Sequence, residues 1–345
     1  MRITELVGIE LPVIQAPMAG SQGSALAIAV SEAGGLGSLP CAVLTPDQIR
    51  AELEAVTAVT NRPFNVNFFC HEVLAFDAAR DAAWRSILAP YYDELGVRPP
   101  MGDTGGARRP FDVDAAALIE EFRPAVVSFH FGLPEPRLLA RVKSAGAKVL
   151  SSATTVAEAQ WLEQHGVDAV VAQGVEAGGH RGMFLGLDLA TQMPTMTLLR
   201  HVLKAVRVPV IAAGGIADAA GVAAALDAGA VGVQVGTAYL LCPEATTTRF
   251  HRAALKTDAV RSTALTNVLT GRPARGIVNR LMREVGPMND AAPAFPTAAA
   301  YVAPLRAAAE AQGRDDFSMM WCGQNAGGCR EISAAELTRT LAARV

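Results

Sequence analysis

The most constraining feature of the sequence is a regular alternation between short β-rich runs and Ala-rich stretches of helical period, which extends from residue 12 to residue 240. This alternation is typical of parallel βα units. The candidate strands lie at residues 12–19, 35–40, 63–69, 125–132, 148–154, 169–174, 208–215 and 232–237.

The composition of these runs favours a closed barrel. They are nearly continuous in Val, Ile and Ala, as expected for parallel strands that are buried on both faces. Eight such strands are what a (β/α)8 TIM barrel requires. Helix start signals agree, since Thr45 precedes a proline and Thr155 precedes a helical stretch that ends at Gly166. A doubly wound open sheet is the competing architecture.

Two regions do not fit the repeat. Residues 70–124 separate the third and fourth strands by more than an ordinary crossover, and we expect a lid or an exposed loop there. Residues 243–312 follow the eighth strand and contain helical patterns joined by Pro/Gly segments such as residues 270–276. We therefore predict a barrel domain of residues 1–242, closed by residues 313–345, and a small helical second domain of residues 243–312, inserted near the C-terminus.

Charge and composition argue against several classes of partner. The net charge is −3, from 30 basic and 33 acidic residues, and no basic cluster is longer than Arg108-Arg109, so nucleic acid is not expected. No stretch is suited to a membrane helix, and Glu5 and Glu10 interrupt the apolar segment that a secretory signal needs. These features predict a cytoplasmic protein. The five cysteines lack paired spacing and are predicted to be free thiols.

Polar and glycine-bearing residues are concentrated at the carboxyl ends of the predicted strands, where barrel active sites lie. The seventh strand ends in Gly214-Gly215, and the eighth ends in the stretch 234–237. Two adjacent turns of this kind favour a phosphate held by backbone amides. The other ends offer amide, thioether and backbone groups, which suit an uncharged heteroaromatic ring more than a metal or a charged sugar.

The stretch VEAGGHRG, residues 175–182, places an imidazole beside two glycines just beyond the sixth strand. A structural histidine normally has bulky neighbours, so the bare backbone indicates that a ligand packs there. With an unperturbed pKa of about 6.5, His180 is suited to take or return a proton. His130, at the end of the fourth strand, is a second candidate. The histidines lack metal-ligand spacing and no G-x-S-x-G elbow occurs, so no metal is expected.

Seven segments together resemble the nitronate monooxygenase family, formerly called 2-nitropropane dioxygenases. They are PVIQAPMAG (12–20), AGGLGSL (33–39), PFNVNFF (63–69), AQGVEAGGHRG (172–182), IAAGGIAD (211–218), GAVGVQVGTAYL (229–240) and WCGQ (321–324). The resemblance spans nearly the whole chain. It implies a barrel that binds FMN without a covalent bond, together with a helical second domain.

By position, the resemblance implies that His180 is the active-site histidine, which hydrogen-bonds the substrate or removes its α-proton. It implies that the other candidates contact the cofactor. The flavin ring and its border would be lined by Met18, Asn67, Gln173 and Gly178, and the phosphate end by Gly215, Gln234, Val235, Gly236 and Thr237. Trp321 and Gln324 resemble an element that returns to the barrel mouth, but packing of the tail on the barrel explains them equally well.

The implied activity is the oxidation of alkyl nitronates, such as propionate 3-nitronate, by dioxygen with FMN as the cofactor. The implied products are a carbonyl compound and nitrite, and nitroalkanes are further candidate substrates. The reaction needs no NAD(P)H, and its partners are a small-molecule substrate and dioxygen. The same scaffold resembles two NAD(P)H-dependent flavin enzymes, enoyl-acyl carrier protein reductase II and NADH:quinone reductase, and the sequence leaves this alternative open. A non-redox phosphate-binding barrel would call for a reactive cysteine, for which Cys70 and Cys242 are poorly placed. The oligomeric state stays open.

Overall fold

A computed structural model describes residues 2–100 and 108–345. The strands of this part of the chain are β1 (Val13–Gln15), β2 (Gly37–Pro40), β3 (Phe64–Phe69), β4 (Val126–His130), β5 (Lys148–Ala153), β6 (Ala169–Gln173), β7 (Gly179–His180), β8 (Val210–Ala213), β9 (Gly232–Val235), β10 (Thr263–Thr266) and β11 (Ala274–Ile277). The α-helices are α1 (Ile3–Val7), α2 (Ser24–Glu32), α3 (Pro46–Val59), α4 (Ala78–Leu95), α5 (Val113–Phe122), α6 (Pro136–Ser144), α7 (Val156–Gln164), α8 (Thr195–Ala205), α9 (Ala219–Asp227), α10 (Arg249–Leu255), α11 (Arg280–Glu284), α12 (Ala298–Ala311) and α13 (Ala334–Leu341).

Eight parallel strands form the main sheet, in the order β1-β9-β8-β6-β5-β4-β3-β2. Its two ends meet at a parallel bridge between Ile14 and Leu36. There the amide of Gln15 donates to the Leu36 carbonyl, and the amide of Leu36 donates to the Val13 carbonyl, both at 2.9 Å. The sheet is therefore a (β/α)8 barrel, and each of the eight predicted runs contains one of its strands. The open-sheet alternative is wrong.

The barrel interior is closed at one end and open at the other. Ile14 of β1, Leu150 of β5 and Leu36, which directly precedes β2, pack with Ile3 and Val7 of α1 into one apolar cluster. This cluster fills the amino-terminal end of the barrel. Space for a ligand is thus left at the carboxyl ends of the strands, where active sites of this fold are found.

The predicted helix starts are confirmed by their caps. The Thr45 hydroxyl accepts a hydrogen bond from the amide of Gln48 at the start of α3, and the Thr155 hydroxyl accepts one from the amide of Glu158 at the start of α7. Such caps satisfy amides that have no partner within the helix. They fix where the helices leave the ends of the strands.

Residues 70–124 differ from the predicted lid or exposed loop, because most of the described part of this region is helical. Helix α5 lies between α3 and α6 and is the barrel helix that joins β3 to β4. Helix α4 is an insertion, whose Trp84 and Leu88 pack in one apolar cluster with Val302 and Leu305 of α12. Residues 101–107 of the predicted region lie outside the described residues.

Residues 243–312 contain the two predicted helices, as α10 and α12, but also two strands. Strands β10 and β11 pair with β7 in an antiparallel sheet of order β10-β11-β7, with Ala274 opposite His180 and Arg275 opposite Gly179. The segment 270–276, which we expected to be a Pro/Gly connection, therefore contributes to a strand. The domain boundaries at residues 242 and 312 stay a prediction.

Candidate active site

A cavity opens at the carboxyl ends of the barrel strands, with about 1320 Å³ of space when its open mouth is counted. Its walls come from the ends of β1, β3, β4, β6, β8 and β9, from β7, and from the C-terminal segment 321–325. Ser128, Ser151 and Ser152 also line it. Residues distant in sequence are thus brought together at one end of the barrel.

Nine of the ten predicted site residues line this cavity: Met18, Asn67, Gln173, Gly178, His180, Gly215, Gln234, Gly236 and Thr237. Val235 does not. Its side chain is buried in the apolar layer between strands and helices, because successive side chains of a strand point to opposite faces. Gln234 and Val235 are neighbours in β9, so the alternation of side chains along a strand predicts that only one of them faces the cavity.

The ends of β8 and β9 present backbone amides with open hydrogen-bonding capacity. Within the described residues, the amides of Gly214, Gly215, Gly236 and Thr237 donate no hydrogen bond, and all four residues line the cavity. Gly214 and Gly215 have φ angles of 117° and 70°, which glycine adopts without strain. A Cβ at Gly214 would lie 2.8 Å from Thr195 Oγ1, so the turn tolerates no side chain. The two turns therefore form a bare cradle of amides.

Gln173 holds the backbone that carries His180. Its side-chain amide donates to the His180 carbonyl at 2.9 Å, and its oxygen accepts from the Gly182 amide at 2.8 Å. Nε2 of His130 donates to the same His180 carbonyl at 3.1 Å. Both polar groups of the Gln173 side chain thus form hydrogen bonds to the backbone of β7 and of the segment after it. Gln173 therefore positions β7 and also lines the cavity.

Arg181 is a positioning residue that the sequence did not reveal. It is fully buried, and its guanidinium donates to the carbonyls of Gln173 and Gly174 at 2.6 Å and to Gln192 Oε1 at 3.0 Å. Burial lowers the pKa of Arg181 to about 10. The side chain ties the end of β6 to the segment that follows His180.

Glu158 of α7 holds the other side of this segment. Its buried carboxylate accepts hydrogen bonds from the amide and hydroxyl of Thr154, at 2.7 and 2.8 Å, and from the amides of Phe184 and Leu185, at 2.7 and 3.4 Å. A lone glutamate in a helix gives no sequence signal of such a role. The chain on both sides of Gly182 is thus fixed to the barrel.

The His180 ring is held by one hydrogen bond and four aromatic side chains. Its Nε2 lies 2.9 Å from Thr270 Oγ1. Its ring centre lies between 5.2 and 6.1 Å from the ring centres of Phe69, Phe131, Phe295 and Trp321. Burial lowers the pKa of His180 well below its ordinary value, and nearby cationic groups lower it further. The ordinary value near 6.5, from which we argued that His180 is suited to exchange a proton, is therefore lowered at this position.

Two arginines make the surroundings of His180 positive. Arg108 lines the cavity and lies over the Phe295 ring, and Arg272 lies over the Phe131 ring and donates to the Met183 carbonyl at 2.6 Å. Burial lowers the pKa of each guanidinium to about 10. No Asp or Glu is among the described residues that line the cavity. Such a site favours an anionic ligand, since a buried cation requires a partner.

The C-terminal segment returns to the cavity. The Gly323 amide donates to Thr237 Oγ1 at 3.0 Å, and the Asn325 side chain donates to the Gly215 carbonyl at 2.9 Å. Trp321 lines the cavity, whereas Gln324 is exposed and does not. Asn325, which sequence reasoning missed, is the residue of this loop whose side chain contacts the β8 turn.

Residues 2–100 and 108–345 contain no group of three or more His, Cys, Asp or Glu side chains placed to hold a metal ion. No helix in this part of the chain has both the length and the apolar character needed to cross a membrane.

Comparison with known proteins adds independent information. The family model described as nitronate monooxygenase matches residues 1–343. A nitronate monooxygenase from Pseudomonas aeruginosa is 44% identical over 343 residues, which cover 99% of this chain and 97% of that protein. One from Paraburkholderia phytofirmans is 43% identical over 339 residues, covering 97% and 92%. A crystal structure of nitroalkane oxidase from Streptomyces ansochromogenes has a TM-score of 0.90 and 39% identity, covering 99% of this chain and 97% of that one.

Proposed function

The chain belongs to the nitronate monooxygenase family, a flavin-dependent family of oxidoreductases, and from this premise we propose that it binds FMN and oxidises alkyl nitronates with dioxygen. The products would be a carbonyl compound and nitrite, and no NAD(P)H would be consumed. Propionate 3-nitronate is the proposed test substrate. The observation that carries the proposal is a cavity that brings His180 and Arg108 together with backbone amides that have no partner among the described residues.

The described residues fit FMN. The amides of Gly214, Gly215, Gly236 and Thr237 lack hydrogen-bond partners within the described chain, and a phosphate supplies several acceptor oxygens. Asn67 uses its Nδ2 on Ser128 and keeps its oxygen for a ligand. Met18 also lines the cavity, and its sulfur suits contact with an aromatic face. Together these residues would hold the phosphate end and the ring of the flavin.

When bound, FMN supplies the electron-transfer chemistry between nitronate and dioxygen. The chain binds and orients the substrate. The positive surroundings of Arg108 and Arg272 would attract the nitronate anion, and the neutral His180 ring would hydrogen-bond it. The aromatic side chains around His180 would exclude water from the reacting atoms, which strengthens each of these electrostatic contacts.

Oxygen uptake by the flavin-loaded protein tests the proposal, with propionate 3-nitronate as substrate, with and without NADH, and with nitrite as the second readout. We expect uptake with nitrite release that does not depend on NADH. Absence of both with the nitronate, together with NADH oxidation when a quinone or an enoyl thioester is supplied, would refute the proposal and favour a reductase.

His180→Ala tests the proposed role of the imidazole. We expect kcat/KM for the nitronate to fall about 100-fold or more, the usual effect of removing a group that stabilises developing charge, while the FMN content stays unchanged. His201→Ala, at an exposed position of α8, is the matched control and is expected to behave as the wild type. Unchanged turnover in His180→Ala would remove the histidine from the mechanism.

A further inference from the structure

Thr270 is a buried hydroxyl that neither the sequence motifs nor the proposed mechanism uses. It lies between β10 and β11, its side chain is fully buried, and its Oγ1 contacts Nε2 of His180 at 2.9 Å. Its other side-chain contact, to the Arg272 carbonyl, is 3.4 Å long. This second distance is beyond the usual range for hydrogen bonds between oxygen atoms.

The two distances favour one position for the hydroxyl proton. A threonine hydroxyl has one proton to donate. If Nε2 carried a proton, it would donate to Oγ1 and leave the hydroxyl proton only the 3.4 Å contact with the carbonyl, whereas a bare Nε2 accepts this proton at ordinary hydrogen-bond length. The geometry therefore favours donation from the hydroxyl to Nε2. A neutral imidazole that accepts at Nε2 carries its own proton on Nδ1.

The other ring nitrogen is available to a ligand. Within the described residues Nδ1 of His180 has no hydrogen-bond partner, and the residue lines the cavity. The charged and titratable groups that face the ring are His71, Arg108, His130 and Arg272. All four disfavour a second proton on it. An N–H donor in these positive surroundings matches an anionic oxygen.

We propose that Thr270 is a positioning residue that orients the His180 ring and fixes its proton on Nδ1, so that a neutral N–H group faces an anionic substrate. The proposal rests on the proposed substrate-binding role of His180. It goes beyond that role by naming the donating atom and the residue that sets it.

Nuclear magnetic resonance of the flavin-loaded protein labelled with [15N]histidine tests the tautomer directly, because protonated and bare ring nitrogens have distinct 15N shifts. The His180 signals are assigned by their loss in His180→Ala. We expect a protonated Nδ1 and a bare Nε2 in the wild type and in Thr270→Ser. Thr270→Val keeps the shape and lacks the hydroxyl, and there we expect this preference to be lost.

Kinetics supply the second readout. We expect kcat/KM for the nitronate to fall about 10- to 100-fold in Thr270→Val, as for other residues that orient a catalytic ring, and to be largely restored in Thr270→Ser. Thr340→Val, at an exposed position of α13, controls for the exchange of residue type. If Thr270→Val does not fold, Thr270→Ala removes the same hydroxyl without adding a methyl group that must be packed.

The proposal is overturned if wild-type His180 carries its proton on Nε2, if Thr270→Val keeps both the Nδ1 proton and full activity, or if Thr270→Ser is as impaired as Thr270→Val. The nuclear magnetic resonance result stands even when no nitronate is turned over. Failure of the tautomer assignment and failure of the proposed reaction are therefore distinguishable.

Discussion

Glu158→Gln should loosen the segment that follows His180 at a predictable cost in stability. Glutamine has the same shape as glutamate, but one of its two oxygens is replaced by an NH2 group that cannot accept a hydrogen bond. We expect the remaining oxygen of the new glutamine to face Thr154, because there it accepts two short hydrogen bonds, from the amide and from the hydroxyl. The NH2 group then faces the amides of Phe184 and Leu185, so that donors meet donors.

The expected loss follows from these contacts. The bond to Phe184 is short, at 2.7 Å, and the bond to Leu185 is long, at 3.4 Å, so one strong bond to a charged acceptor disappears. Hydrogen bonds to charged groups contribute about 1.5–3 kcal/mol each to stability. Because the Phe184 amide would stay buried without a partner, we expect a loss in the upper part of this range. We therefore expect the free energy of unfolding to decrease by about 2–3 kcal/mol.

Urea titrations of the flavin-loaded proteins, monitored by circular dichroism, measure this loss. Glu54→Gln makes the same exchange on α3, where the side chain is exposed and accepts no hydrogen bond from the described residues. A decrease below about 1 kcal/mol in Glu158→Gln, or an equal decrease in Glu54→Gln, would show that the carboxylate does not hold this segment.

Two other predictions concern the charge of the site and the acid stability of the fold. Arg108→Met should lower kcat/KM for the nitronate anion about 10-fold or more, because a hydrogen bond between charged groups is lost. Turnover of a neutral nitroalkane should change much less. Equal losses for both substrates would contradict an ion pair between Arg108 and the nitronate. Burial lowers the pKa of His251 to about 4, from an unfolded value of about 6.5. The unfolded chain therefore takes up a proton first as the pH falls, and stability that is complete above pH ~6.5 decreases by about 3 kcal/mol on approaching pH ~4. His251→Gln should remove this part of the pH dependence in urea titrations, whereas His201→Gln, at an exposed position, should not. If His251→Gln keeps the wild-type pH profile, His251 is not the source of this pH dependence.

The barrel was predictable because its strands are local and strongly patterned. Each run of Val, Ile and Ala is buried on both faces, and caps such as Thr45 and Thr155 mark where helices begin. The cavity followed from the rule that places sites at the carboxyl ends of barrel strands. Gly214, Gly215 and Gly236 were accessible to sequence reasoning for the same reason.

The second sheet was not predictable in this way. Strand β7 has two residues, too few for any periodicity, and β11 lies in a Pro/Gly-rich stretch whose partner is far away in the sequence. Helix α4 carries Pro90 within it and shows no single apolar face, so it resembles a loop. The roles of Arg181, Glu158 and Thr270 depend on tertiary hydrogen bonds, which leave no local pattern.

The pairing of β7 with β11 also orders the events of synthesis. Proteins are made from the N-terminus, so all eight barrel strands are synthesised before Thr270, β11 and Trp321. A nascent chain that ends before Thr270 contains all eight barrel strands, yet its histidine has neither its strand partner β11 nor the Thr270 hydroxyl. The surroundings of His180 are therefore completed only after Thr270, β11 and Trp321 have been synthesised.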